Sequence, residues 1–476
     1  MALAAYALVW ATYGAIARAS QGLHPDMTEL IAWSRDLAWG YSKHPPLSAA
    51  LVWLWFRIFP VAEWTYYLLA MLMPASALWI AWRLAGDYLD ADKRVAGLAL
   101  LTFVPFFNFI ALKYNANTVL LPLWAAATYA FLRSFRTQSF GWSVLAGLAA
   151  ALSLYGKYWS VMLIAGLAVA AMSDVRRATY FRSPAPWITT ASGLIALAPH
   201  LAWLVQHDFP SVSYALTGHA ERSLGAGVMH ALGYLAGVAG YAVVPVVLVL
   251  IGARPGATLA LDLVWPRDRE RRLAAACFWA PLLMPALVAP LAGIKLTSLW
   301  SMSAFSLLPV LLLSPPAIRL RANDVRHLLR AAVAFPILAL VVAPIIARET
   351  QRAGPPPANA QARLLAAEIE RQWHIVSRRP LRFVDGDLDI AYAVAAYAAD
   401  APRALPKLPP PRASEVAQAG VVLVCFAQDA PCNATIAEKA AAQGGGRTST
   451  TTIVRDLLGI PGKPQAYTVI IVPPRT

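Results

Sequence analysis

Apolar runs of roughly 17–25 residues recur along the first three quarters of the chain, separated by short polar breaks. That length crosses the ~30 Å hydrocarbon layer of a bilayer. Only helices and closed barrels satisfy their backbone polar groups in lipid, and runs of this length are helical. In order they cover residues 3–17, 64–82, 95–112, 119–131, 142–155, 158–172, 187–205, 228–251, 273–291, 298–313 and 331–346, which predicts about eleven transmembrane helices. A shorter apolar stretch, 47–59, reads as interfacial or re-entrant. The expected class is a polytopic α-helical membrane protein with a transmembrane domain over residues 1–350.

After AGPPPANA (353–360) the pattern changes. A helical period over 363–374 is followed by LRFVDGD (381–387), an apolar helical stretch at 390–397 and a Pro-rich link through Pro411. A β-branched strand at 421–427, a helix around 434–443 and a last strand at 467–472 complete the tail. Residues 351–476 therefore read as a small soluble α/β domain of roughly 120 residues, an ordinary domain size.

Composition agrees with the membrane reading. The chain is 59% hydrophobic and 14% charged, against about 25% charged for soluble domains. The net charge of +15 does not mark a nucleic-acid binder. Most of the excess lies in short loops on alternate crossings, the longest running from Arg254 to Arg272, as the positive-inside rule requires. The same rule predicts a cytoplasmic N-terminus, with the loop of Asp26 and the tail after Arg348 extracytoplasmic. Residues 1–20 lack a basic n-region and read as a retained first helix. Cys277 lies in an apolar run. Cys425 and Cys432 read equally as a local disulfide, if the tail faces an oxidising space, or as two unrelated thiols.

The candidate chemistry concentrates in the first outer loop, residues 19–46. LHPDMTELIAWSRDLAWGYSKHPPL carries His24, Asp26, Glu29, Arg35, Asp36, Lys43 and His44. Asp26, after Pro25 and three residues before Glu29, fits an N-cap in a capping box. The functional reading, which can coexist with the cap, is a general base facing a water-filled cavity. His44 before Pro45-Pro46 binds a ligand oxygen or packs the turn. His24, Asp26 and Glu29 are competent metal ligands, but their spacing matches no closed motif, and no metal is assigned. The other outer loops add Lys113, Asn115, Asn117, Lys157, His207, Asp208, His219, Glu221, Arg222 and Lys295. Lys113, Lys157 and Lys295 lie on separate loops of one face. They form a cationic pocket for a lipid-borne phosphate or simply snorkel to the interface. Trp33, Trp39, Tyr41, Trp64, Tyr114, Tyr158 and Trp159 are belt anchors or stacking partners for a sugar. There is no strand–GxGxxG–helix motif, and no cofactor is called for.

The 23–47 loop resembles the first extracytoplasmic loop of bacterial GT-C class membrane glycosyltransferases. The likeness is to the protein-mannosyltransferase-like and lipid A aminoarabinose transferase-like group. It continues through KYNANTVLLPLW (113–124), LYGKY (154–158), PHLAWLVQHDF (199–209), and LRFVDGD with AYAVAAYAADAPRAL in the tail. It implies a GT-C-like fold in the bacterial inner membrane, with the active loop and tail periplasmic. The implied reaction is an inverting transfer from a polyprenyl-phosphate sugar donor to an envelope lipid, glycan or protein acceptor. The loop Asp of the group is the general base, which maps to Asp26, with Glu29 beside it. Cations near the leaving phosphate map to Lys113, Lys157 and Lys295, and Lys157-Tyr158 lie near the donor. His24, Lys43, His44, Tyr114, Asn117 and His207 complete the expected substrate-binding set.

Three positions depart from the group's pattern. Met27 follows the loop Asp where an acid is common. Lys43 precedes His-Pro-Pro where Asp is frequent, and Asn117 also stands where Asp is often found. Each removes negative charge, which argues against a cationic donor sugar and for an anionic sugar or acceptor. Two other readings stand beside the transferase: a transporter or flippase of lipid-linked sugars, and a non-catalytic envelope scaffold. The absence of an internal repeat weighs against a transporter, and the scaffold predicts that Asp26 is replaceable.

Overall fold

The computed structural model describes residues 1–476 except 222, 254–256, 409, 410 and 476. Arg222 and Arg254 of the outer and basic loops, and part of the Pro-rich link, fall outside the described residues. The chain divides into two compact units, residues 1–11, 39–48 and 68–338 in the first and 12–38, 49–67 and 339–476 in the second.

Among the described residues, six helices are long and apolar enough to cross a membrane: Glu63–Ala85, Ala116–Thr137, Ala185–Gln206, Leu224–Ile251, Arg269–Leu291 and Ala322–Ala353. Shorter apolar helices include Ala2–Ala17, Leu47–Ile58 and Phe140–Gly156. Two expected spans are not continuous α-helices. The 95–112 run is helical only through Ala91–Leu101. It then turns at Pro105, and the Asn108 amide caps the carbonyls of Thr102 and Val104 at 2.9 and 3.1 Å. The 298–313 run opens as a buried 3₁₀ helix, Ser298–Leu307, before an α-turn Leu308–Leu313. Such long 3₁₀ runs are uncommon. Apolar length alone does not distinguish these backbones from an α-helix.

In the first unit, Arg133 and Arg136 pair with Asp87, Arg136 and Arg176 with Glu270, and Arg176 with Asp174. Basic loops that are distant in sequence are thus held together by ion pairs. Where the helices Phe140–Gly156 and Ala185–Gln206 cross, Gly147 faces Gly193; a Cβ on Gly147 would lie 2.2 Å from the Thr189 carbonyl. Small residues let membrane helices approach this closely.

The second unit is built on a five-stranded sheet ordered β2-β1-β3-β7-β4. Its strands are β1 Phe383–Gly386, β2 Arg403–Ala404, β3 Val421–Phe426, β4 Arg447–Ile453 and β7 Gln465–Val472, while β5 Asp456–Leu457 and β6 Ile460–Pro461 pair as a separate ribbon. β1 runs parallel to β2 and β3; β7 runs antiparallel to β3 and β4. β3 is buried on both faces, with Val422 and Val424 in one core and Val421, Leu423 and Cys425 in the other. This is why it reads as a continuous apolar run. The first core joins Ile369 and Trp373 of the Ala362–Val376 helix, Ile390 and Val394 of the Leu388–Tyr397 helix, and Ala32 from the first outer loop. Gly386 (φ +123°) is required at the end of β1, because a Cβ there would meet the Val424 carbonyl at 2.1 Å. Cys425 and Cys432 form a disulfide.

Candidate active site

The first outer loop opens with a helix, Pro25–Ser34, which belongs to the second unit. Its N-cap is His24, whose Nδ1 accepts the Asp26 backbone N–H at 3.1 Å. Asp26 is therefore not the cap; it sits in the first turn. Pro25 explains the shift: it has no N–H to lose and its φ suits the first helical position, so the helix begins two residues earlier than an Asp26 cap would place it. An Nδ1 that accepts carries no proton, so His24 is neutral with its proton on Nε2 while the cap is made. The 3.9 Å approach of Nδ1 to the Asp26 carboxylate is then not an ion pair. The Asp26 side chain is 30% exposed, whereas Glu29 is buried at 6% exposure. Of the two acids, Asp26 is the one open to a substrate.

Residues of the tail and of the 49–67 segment hold this helix. The Leu23 N–H donates to Tyr397 Oη at 2.7 Å, and Tyr397 donates to Glu63 at 3.1 Å. Tyr66 donates to the Met27 carbonyl at 3.1 Å. Arg35 donates to the Ala395 carbonyl, and Arg403 pairs with Asp36 at 2.6 Å. Burial lowers the Arg35 guanidinium to about 10.

The cations gather in the first unit. Lys157, Lys43 and Lys295 all act on His219 and, with burial, hold its imidazole below the usual histidine range. Lys157 Nζ donates to Asn117 Oδ1 at 2.8 Å and lies 4.9 Å from the Trp300 ring. The His219 ring meets the same indole edge-on at 4.9 Å. Gly293-Ile294-Lys295 pairs with His219-Ala220-Glu221 through Lys295 N–H to His219 O at 2.8 Å and Glu221 N–H to Gly293 O at 2.7 Å. His44 reaches this group through Tyr214, with ring centroids 6.3 Å apart. Lys113 is not among the three lysines acting on His219. Its carbonyl accepts from Thr118.

Behind these cations runs a buried hydrogen-bond chain. His200 Nδ1 lies 2.6 Å from the Trp39 carbonyl, and its Nε2 lies 2.8 Å from Tyr158 Oη, which is 2.7 Å from Ser211 Oγ. A carbonyl only accepts, so a neutral His200 carries its proton on Nδ1. Tyr158 then donates to Nε2, and Ser211 donates to Tyr158. The Tyr158 hydroxyl is thus spent inside the protein and fixes the backbone next to Lys157. Tyr114 is buried at 0% exposure and donates to the Ser48 carbonyl at 3.2 Å. His207 is exposed, stacks on Trp203 at 4.6 Å and bonds its own helix through the Trp203 carbonyl. Gly40 is needed where it stands, since a Cβ there would fall 2.3 Å from the Trp203 ring.

Sequence reading missed His200, Ser211 and Trp300 as members of this group. His200, Trp203 and His207 follow one another at intervals of three and four in PHLAWLVQH, a helical spacing that was legible. Ser211 and Trp300 carried no such signal. Among the described residues, the ligand atoms of Glu370, His374 and Asp400 lie within 4.8 Å of one another and could hold a metal ion. Glu370 and Asp400 already accept the backbone N–H groups of Ala399, Asp400 and Leu381.

Residues 43–203 match the sequence family described as dolichyl-phosphate-mannose-protein mannosyltransferase. The fold aligns over 98% of the chain with ArnT from Cupriavidus metallidurans bound to undecaprenyl phosphate, at a TM-score of 0.64 and 13% identity, covering 97% of that chain. The apo form aligns with a TM-score of 0.61 at 12% identity. Residues 43–203 are thus similar to that mannosyltransferase family, and the fold of the chain is similar to that of ArnT. Among curated proteins it is similar to two lipopolysaccharide core galacturonosyltransferases of Rhizobium johnstonii (strain DSM 114642 / LMG 32736 / 3841). RgtA is 26% identical over 294 residues, 59% of this chain. RgtB is 27% identical over 285 residues, 58% of this chain. The chain spans about half the length of these relatives, 55% of each.

Proposed function

We propose that the protein transfers an anionic sugar, a hexuronic acid, from a polyprenyl-phosphate donor to a lipid or glycan of the cell envelope. Asp26 takes the proton of the acceptor hydroxyl. The acceptor oxygen bonds the anomeric carbon as the bond to the donor phosphate breaks, with inversion. The observation that carries the reading is geometric: Lys157 and His219 each lie 4.9 Å from the Trp300 ring, and the Lys295 N–H bonds the His219 carbonyl at 2.8 Å, with Lys43 also acting on His219. A sugar phosphodiester carries one negative charge, its leaving group develops a second, and a uronate adds another. The three lysines match that load, and developing charge on a leaving phosphate is where preorganised cations accelerate most. The galacturonosyltransferase relatives favour the same sugar class. A periplasmic tail and first loop fit the ion-paired basic loops at one end of the first unit and the disulfide in the second.

Asp26→Asn keeps the side-chain size and leaves the His24 cap in place. With galacturonate-linked polyprenyl phosphate as donor, its transfer rate is expected to fall about 10²–10⁴-fold, the usual worth of a general base, with donor binding retained. Lys157→Ala is expected to raise the donor KM instead. An unchanged rate in Asp26→Asn removes Asp26 as the base. A wild-type protein that prefers a neutral or cationic donor sugar overturns the anionic assignment.

A further inference from the structure

The second unit contains a cavity of about 310 Å³, lined by Ser20, Gln351, Gln361, Arg455, Lys463 and Gln465 together with prolines and glycines. Its size is at the lower end for ligand pockets, roughly 300–1,000 Å³, enough for one sugar ring. Two lining side chains hold buried polar atoms with no protein partner: Ser20 Oγ, at 0% residue exposure, and Gln361 Oε1, at 3%. The orientation of the Gln361 amide is set, because its Nε2 donates to the Lys463 carbonyl at 3.1 Å. Oε1 is left as an acceptor. Gln351 Nε2 donates to the carbonyls of Arg455 and Ile460 at 2.9 and 3.0 Å. Arg455 donates to the Ala19 carbonyl at 2.6 Å.

Buried polar atoms without partners cost about 1–3 kcal/mol each, and native proteins carry few of them. The group that satisfies this wall needs a donor for Gln361 Oε1 and a polar atom for the Ser20 hydroxyl, and it is drawn by the positive charges of Arg455, on which Glu63 also acts, and of the exposed Lys463. A metal cation is repelled by the two basic side chains. An apolar ligand leaves both orphan atoms without a partner. A sugar with an acidic substituent supplies hydroxyl donors, hydroxyl acceptors and the anion at once. We propose that this cavity binds an anionic sugar, a pyranose bearing a carboxylate or a phosphate, through Arg455, Lys463, Ser20 and Gln361. The assignment is independent of the transfer reaction and stands or falls without it.

The test is saturation-transfer NMR and calorimetry on the full-length chain in nanodiscs, with galacturonate, glucose 6-phosphate, inorganic phosphate and galactose as probes. Galacturonate or glucose 6-phosphate is expected to bind, and galactose is not; whichever anionic sugar binds more tightly identifies the acidic substituent. Ser20→Ala removes a hydroxyl that bonds nothing in the protein, and Lys463→Ala alters an exposed side chain. Each is expected to weaken the anionic sugar about tenfold, the worth of one charge-assisted or buried hydrogen bond. Arg319→Ala, at an exposed position of the other unit, is expected to leave this affinity unchanged. Should Ser20→Ala lower the melting temperature, Lys463→Ala carries the test alone. Galactose binding as tightly as galacturonate, inorganic phosphate matching glucose 6-phosphate, or affinities unmoved by either cavity variant overturn the proposal and leave ordered water as the occupant.

Discussion

At the scale of single residues, His219 links protons to anions. Burial and the charges of Lys157, Lys43 and Lys295 hold its imidazole below the usual histidine range, so it is neutral at pH 7. The unfolded chain takes up a proton there first as pH falls, so this group contributes stability that is lost below pH ~6.5 until the folded imidazole itself protonates. An anion among the lysines offsets their field and raises the His219 pKa. Binding of a polyprenyl phosphate is therefore expected to draw in a proton and to tighten as pH falls from neutrality. NMR titration of His219 with and without the lipid measures this, and an unmoved titration means the anion sits elsewhere. Gly40→Ala makes the complementary test on the loop side. The added Cβ, 2.3 Å from the Trp203 ring, forces the Trp39–Ser48 segment or the indole to move. A loss of about 1–3 kcal/mol by thermal unfolding is expected, as for overpacking elsewhere.

At the scale of elements, the Pro25–Ser34 helix is short, and isolated helices of this length are marginal. Its order comes from Tyr397, Arg35, Arg403 and Tyr66. Tyr397→Phe leaves the Leu23 N–H without its acceptor and is expected to cost about 1–3 kcal/mol locally. Hydrogen exchange of amides 23–36 should rise while that of the Ala116–Thr137 helix does not; equal protection would mean the helix stands by itself. The sequence showed where this element lies, because its apolar spacing and Pro25 are local signals. It did not show the cap, since the competition between Asp26 and His24 turns on a proline's missing donor. Likewise β4, RTSTTTI, passed unread. It is an edge strand paired only with β7, and such strands carry polar β-branched residues in place of an apolar run. The 3₁₀ course of Ser298–Leu307 has no counterpart in apolar spacing at all.

At the scale of the whole molecule, Lys113, Lys157 and Lys295 were legible as cations on separate outer loops; Lys157 and Lys295, with Lys43 of the first loop, act on His219. Tyr158 and Tyr114 donate their hydroxyls inside the protein. Which of several like residues meet is decided by long-range packing that no local spacing encodes. Sidedness remains open to direct measurement. With Cys425 and Cys432 bonded, maleimide labelling in intact cells is expected to reach the tail only after an impermeant reductant. Labelling without reduction places the tail in the reducing compartment. Closing so short a loop is worth about 2–3 kcal/mol in the chain-entropy account.

The second unit is assembled from chain segments far apart: residues 12–38, 49–67 and 339–476. The hydrogen bond from Leu23 to Tyr397 spans 374 residues. At about 5–20 residues per second, a ribosome needs roughly 20–75 s to make that interval. The helix bearing Asp26 thus leaves the ribosome long before the residues that order it exist. Nascent chains therefore carry this helix unanchored, and it settles only once the last quarter of the protein has been synthesised and folded.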